Sequence, residues 1–291
     1  MITPTDRGIA SFRYLAVVTV VSVALIILNV LLGMRIPFSV AFLVGYIGTT
    51  LVFVVWHAVL TKGWKRSLLM FALSFLVAFI AEALGVNFGL VFGLYHYTPA
   101  LGISLFGVPL LAALAWEPIV YAAFCLSEML ASRRENLQNR STRLTSTLWM
   151  AAIGALATTA WDLMIDPIAV SQGWWTWTHG GAYVPYVANG VPISNFLGWL
   201  LVAFVINLVY RRVADGIDQP ERSVVLSYVG PLTLYVSLFL TAFGVAVTVL
   251  RRPEVAMVGM LAMGPFILIA LTNLPVFIFR LRNLGSTAKK T

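Results

Sequence analysis

The chain is dominated by uninterrupted apolar runs of about 20 residues, at roughly 14–33, 38–60, 67–87, 108–130, 147–167, 194–210, 224–249 and 255–280. About 20 residues of helix, rising 1.5 Å each, cross the ~30 Å hydrocarbon core of a bilayer. Backbone groups in lipid must be satisfied internally, and these runs lack the short alternating pattern of barrel strands. They predict an all-α, polytopic transmembrane bundle of about eight spans. Composition agrees, with 60% hydrophobic and only 10% charged residues among 291, where a soluble chain carries roughly a quarter charged. A single membrane domain over 1–291 is expected. The first run is longer than a signal-peptide core and no small-residue cleavage site follows it, so it is expected to persist as an anchor.

A formal charge of +8 would in a soluble chain raise nucleic acid as a partner, but here the basic residues fall between apolar runs. Placing alternate connections in the cytoplasm gathers there every Lys and Arg except Arg35, Arg251 and Arg252. That asymmetry is the positive-inside signal, so the expectation is a cytoplasmic (inner) membrane protein with both termini cytoplasmic, bound to lipid and not to nucleic acid. The lone Cys125 permits no internal disulfide and reads as packing.

Two connections on the opposite side are unlike solvated loops. Residues 87–108 (NFGLVFGLYHYTPALGISLFGV) and 170–195 (VSQGWWTWTHGGAYVPYVANGVPISN) contain no Lys, Arg, Asp or Glu. Rich in aromatic residues and glycine, they predict interfacial or re-entrant segments folded over the mouth of the bundle.

An ionisable side chain at membrane depth costs on the order of 2.5–3.5 kcal/mol by insertion scales. Four carboxyls are placed there: Glu82, Glu117, Asp162 and Asp166; Glu128 sits too near a span end to count. All four fall in the outer halves of their helices and are expected to line one cavity beneath the aromatic loops. Asp162 and Asp166 are i, i+4 in WDLMIDP, on one helix face. Two like charges that close cannot both ionise cheaply in a poor solvent, so the pair is expected to keep one proton, on the deeper Asp162. Pro118 and Pro167 follow two of the acids, where a helix loosens.

No Lys or Arg falls near the middle of a span, so neither ion pairing nor a retinal-type Schiff base is expected. His96 and His179 lie in the aromatic loops and His57 near a span end, without the spacings that hold zinc, so no metal is expected. Tyr95, Trp116, Tyr121, Trp161, Trp174, Trp175 and Trp199 crowd around the acids, accompanied by Tyr97 and Trp177. Protonated acids facing π-systems in a dry pocket suit protonation of an alkene and shelter of the carbocation.

EALGVNFGLVFGLYHYT (82–98), PLLAALAWEPIVYAA (109–123), ATTAWDLMIDPIAVSQGWWTW (157–177) and GVPISNFLGWL (190–200) together resemble the integral-membrane carotenoid hydratases that act on γ-carotene, lycopene or bisanhydrobacterioruberin. The resemblance covers about residues 80 to 200. It implies a cofactor-free hydro-lyase of carotenoid biosynthesis that adds water across the terminal 1,2 double bond of an acyclic, membrane-embedded carotenoid, giving a tertiary alcohol. Residue roles follow from chemistry rather than from the resemblance. Asp162 and Asp166 are expected as acid and partner, with Glu82 and Glu117 as base, water holder or relay. Trp161, Trp174, Trp175 and Tyr95 are expected to stabilise the cation, Trp116, Tyr121 and Trp199 to complete the substrate wall, and Asn87, His96 and Asn195 to orient water.

Two other classes fit parts of the pattern. DLMID has the DxxxD spacing by which membrane prenyltransferases and terpene cyclases hold magnesium diphosphate, but a second aspartate-rich motif with nearby basic residues is missing. Intramembrane carboxyls also serve proton-coupled transporters, yet matched sequence halves are not evident. A carotenoid-binding protein without catalysis is the remaining alternative. For topology, reporter fusions at Gly63, Asn136 and Gly216 should all report the cytoplasm, and a periplasmic signal at any one overturns the assignment.

Overall fold

The computed structural model describes Arg13, Val17 and residues 40–131, 140–186, 190–218 and 224–287; the expected first span, 14–33, lies outside this set except for Val17. Seven helices long and apolar enough to cross a membrane are found among the described residues. They are α1 (Val40–Lys62), α2 (Trp64–Phe88), α3 (Leu110–Ala131), α4 (Arg140–Ser171), α5 (Ile193–Ala214), α6 (Val224–Gly244) and α7 (Pro253–Thr287). Each overlaps one apolar run of the sequence, and the chain is a polytopic helical membrane bundle.

The helix junctions follow from local chemistry. Gly63 alone separates α1 from α2 and adopts φ 81°, a conformation that side chains with a Cβ rarely tolerate. At the far end, Gly89 takes a left-handed conformation, and the N–H groups of Gly89 and Leu90 donate to Gly85 and Leu84 carbonyls. This C-cap turns the chain out of α2 and into the first charge-free segment. Pro118, Pro167 and Pro231 lie inside α3, α4 and α6 without ending them. After α6, one π-turn over Val245–Val249 leads to α7.

The two charge-free segments, 80 residues apart, pair with each other. Strand β1 (Leu94–Tyr97) runs antiparallel to β4 (Trp175–His179), with Tyr95 opposite Trp177 and Tyr97 opposite Trp175. Between them, β2 (Ser104–Leu105) and β3 (Val108–Pro109) form a small hairpin turning at Phe106 and Gly107. A two-stranded ribbon satisfies the backbone of a segment that water reaches poorly. Alternation along the ribbon sends Tyr95, Tyr97, Trp175 and Trp177 to one face, where they pack on the bundle core.

The ribbon is docked through positions where only glycine fits. A Cβ on Gly198 of α5 would lie 2.6 Å from the Val91 carbonyl and 2.5 Å from the Phe92 ring, and one on Gly93 would lie 2.8 Å from the His179 carbonyl. Trp177 Nε1 also donates to the Phe92 carbonyl at 3.0 Å.

At the opposite end the bundle is tied by charge. Lys62 of α1 pairs with Glu128 of α3 at 2.9 Å, Arg211 of α5 approaches Glu128 at 3.9 Å, and both cations lie over the Phe124 ring. Arg66 donates to the Ile217 carbonyl. Lys62, Arg66 and Arg211 thus mark the end of the bundle opposite the aromatic ribbon. Gly198→Val should push the ribbon from α5 at a cost of about 1–3 kcal/mol, read as a lower unfolding temperature of the purified protein in detergent; an unchanged midpoint contradicts this docking.

Candidate active site

A cavity lies beneath the ribbon, bounded by α1, α3, α4, α5 and α6, with Glu82 entering from α2. Its walls are mostly apolar and aromatic, and its polar groups are few. Among the lining residues there is no Lys and no Arg.

Asp162 and Asp166 stand one turn apart on the same face of α4, both buried, and within hydrogen-bonding reach of each other. The amide of Asn195, at the start of α5, bridges them: its Nδ2 donates to Asp162 Oδ2 at 3.0 Å and also to Asp166 Oδ2. Among the described residues Asp162 Oδ1 has no hydrogen-bond partner. Asp166 faces the cavity, whereas Asp162 lies behind it. The pair is therefore held together, but the member positioned to touch a substrate is Asp166 rather than the deeper Asp162.

Glu82 is provided for differently. Three donors converge on it: the hydroxyls of Tyr95 and Tyr97, the latter at 2.7 Å, and Trp116 Nε1 at 3.0 Å. Burial first, and the neighbouring Glu82 charge second, hold both ribbon phenols well above the ordinary tyrosine range, so they remain donors. An acceptor supplied with three donors is suited to carrying negative charge. Tyr97 also lies close enough to Asp166 to feel its charge.

The aromatic wall is continuous. Trp116 stacks on Trp199 with ring centres 3.7 Å apart, Trp161 meets Trp199 edge-on, and Tyr97 meets Trp175 in the same way. Trp174 and Trp177 complete it under the ribbon. Of the aromatic residues expected at the site, Tyr95, Trp116, Trp161, Trp174, Trp175 and Trp199 line the cavity.

Four expected site residues are placed elsewhere. Glu117 is buried but off the cavity, beside Ser74 of α2, because one residue along a helix turns the side chain by about 100° from Trp116. Tyr121 is hydrogen bonded to His57 Nδ1 at 2.7 Å, more than a turn further along α3. His96 points to the outer face of the ribbon, against Thr176 at 3.0 Å. Asn87 is exposed and ties α2 to the β2–β3 turn through the Phe106 carbonyl at 2.9 Å. The expectation of four carboxyls around one cavity thus becomes two that line it, Glu82 and Asp166, with Asp162 behind the wall, and of the three expected water-orienting residues Asn195 alone reaches a carboxyl, donating to both aspartates.

Tyr97 and Trp177 form part of the site although neither stood among the expected site residues, and Tyr46, Thr50 and Thr241 form a hydroxyl-bearing far wall. Strand alternation from Tyr95 was the available signal for Tyr97; nothing in the sequence pointed to α1 and α6. Among the described residues, no three His, Cys, Asp or Glu side chains form a metal-binding group.

Residues 38–265 match the family model described as carotenoid biosynthesis protein. The chain is also similar to the bisanhydrobacterioruberin hydratase of Haloarcula japonica, 31% identical over 147 residues, which is 50% of this chain and 45% of that protein. The match thus spans about half the length of the curated relative. No solved structure matches. With a family match extending from α1 into α7 and including every cavity residue, the chain belongs to the carotenoid biosynthesis protein family.

Proposed function

We propose that the protein is a hydratase that adds water across the terminal 1,2 double bond of an acyclic carotenoid end group, without a cofactor, from within the inner membrane. The observation that carries this reading is the pairing of two unlike acid groups across one aromatic cavity: an aspartate pair sharing a single amide, and a glutamate held by three donors. Membership of a carotenoid biosynthesis family and similarity to a protein named as a hydratase support it.

In this mechanism both carboxyls of the aspartate pair enter the cycle protonated. Asp166 passes its proton to carbon 2 of the alkene, and positive charge develops at the dimethyl-substituted carbon 1. Asp162 keeps its own proton, so that a single negative charge is left on the pair, and the Asn195 amide donates to it. The faces of Trp161, Trp175 and Trp199 stabilise the cation by quadrupole attraction in a site with little water. Water adds to carbon 1 and loses a proton to Glu82, completing the tertiary alcohol. The cycle closes when that proton returns to Asp166, for which the Tyr97 hydroxyl, bonded to Glu82, is the proposed relay. Alkene and water enter, alcohol leaves, and the protein ends as it began.

A magnesium diphosphate reading of DLMID is disfavoured, because the cavity has no Lys or Arg to neutralise the phosphates and Asn195 occupies both aspartates. Expression in a host that accumulates an acyclic carotenoid should yield pigment heavier by one water, and Asp166→Asn should abolish that product while the protein still accumulates in the membrane. An alkene has no lone pair to attract a proton, so an amide cannot replace the acid. Trp175→Leu should leave a slow enzyme, since one cation–π contact contributes ~1–2 kcal/mol, about five- to thirty-fold in rate. Full turnover by Asp166→Asn would falsify the acid assignment.

A further inference from the structure

A polyene too long for the cavity must pass through its wall, and exposure shows where that wall is open. On the α6 side the lining residues Leu238, Thr241 and Ala242 are all buried, and the buried hydroxyl of Tyr46 of α1 lies near Thr241 and Ser237. The α2 and α5 contributions, Glu82, Asn195 and Trp199, are buried too. Apart from Ile165 and the aromatics of the ribbon itself, the half-buried lining residues are Tyr46 on α1 and Leu111, Ala112 and Ala115 on α3.

These positions coincide in depth. Tyr46 is six residues from the start of α1 and Ala115 five from the start of α3, so both lie about 8–9 Å below the ribbon end of their helices. Their outward neighbours are apolar and exposed: Val44 is 49% and Leu110 37% exposed, and among the described residues nothing stands within 4 Å of where a Cβ on Gly45 or Gly48 would be. Ala112 and Ala115 are i, i+3 on one face of α3, and both line the cavity with small side chains.

We propose that the seam between α1 and α3 is a lateral, lipid-facing mouth through which an acyclic isoprenoid polyene enters end-first, leaving its tail in the hydrocarbon layer. This rests on the hydratase reading for the nature of the substrate, but the mouth itself is a property of the cavity. It makes Ala112 and Ala115 determinants of specificity for long, rod-like chains. The mouth opens at hydrocarbon depth, beside the acids and away from the basic end, so no part of the substrate need cross water.

The test uses the full-length protein in lipid nanodiscs, comparing wild type with Ala112→Trp and Ala115→Trp. Capture of a C40 acyclic carotenoid is followed by quenching of the cavity tryptophans, and hydration is measured for that carotenoid and for a C10 isoprenoid with the same end group. A narrowed mouth should slow carotenoid capture by about tenfold or more and reduce the long-to-short turnover ratio by a similar factor, because the short chain has no tail to accommodate. Ala115→Ser, small and polar, should capture the polyene faster than Ala115→Trp, which separates obstruction from misfolding. Unchanged capture, as when another part of the chain already fills the seam, overturns the proposal, as does an equal loss for both chain lengths. Capture remains readable when no alcohol forms, so failure of the hydratase reading is distinguishable from failure of the mouth.

Discussion

Carboxyl groups inside a bilayer must find hydrogen-bond partners or keep their protons, and much of this architecture answers that constraint. Three of them are brought together under one roof, and their donors come from neutral groups. Two phenols and an indole serve Glu82, while one amide serves both aspartates. With neutral donors, the carboxyls stay available for proton transfer, whereas a buried lysine or arginine would fix them as ion pairs. The charged partners are instead at the other end, where Lys62, Glu128 and Arg211 bind one another around Phe124.

The aromatic ribbon solves two problems with one element. Its backbone ladder allows non-helical chain to cover the bundle mouth without unsatisfied amides, and its period of two directs Tyr95 and Tyr97 onto Glu82 together. Glycine makes the docking possible, since the backbone of residues 91–93 lies too close to α5 and to the facing strand for side chains at Gly198 or Gly93. Chemistry at the acids therefore depends on packing between segments distant in sequence.

Much of the fold was legible from hydropathy, because helix length and apolar continuity are dictated by the bilayer; seven of the apolar runs correspond to described helices. The Asp162–Asp166 pair was legible from the i, i+4 rule, which holds wherever a helix is regular. Azimuth was harder to read. A membrane helix apolar all round does not reveal which face is inward, so Glu117 and Tyr121 were grouped with the site although α3 turns them away. His96 is a different case: alternation with Tyr95 and Tyr97 sends it outward, but only once the segment is known to be a strand. Pairing of 94–97 with 175–179 had no local signal, and Asn195 was recognisable as polar but not as the bridge.

The central claim is acid-catalysed addition of water at the Asp166–Glu82 cavity. It is tested most directly by giving the purified protein an acyclic carotenoid in deuterated water enriched in heavy oxygen and locating the isotopes in the product. The account predicts a tertiary alcohol carrying heavy oxygen at carbon 1 and one new deuterium at carbon 2. An alcohol whose oxygen comes from dissolved oxygen gas, one without deuterium at carbon 2, or recovery of unreacted carotenoid would contradict it.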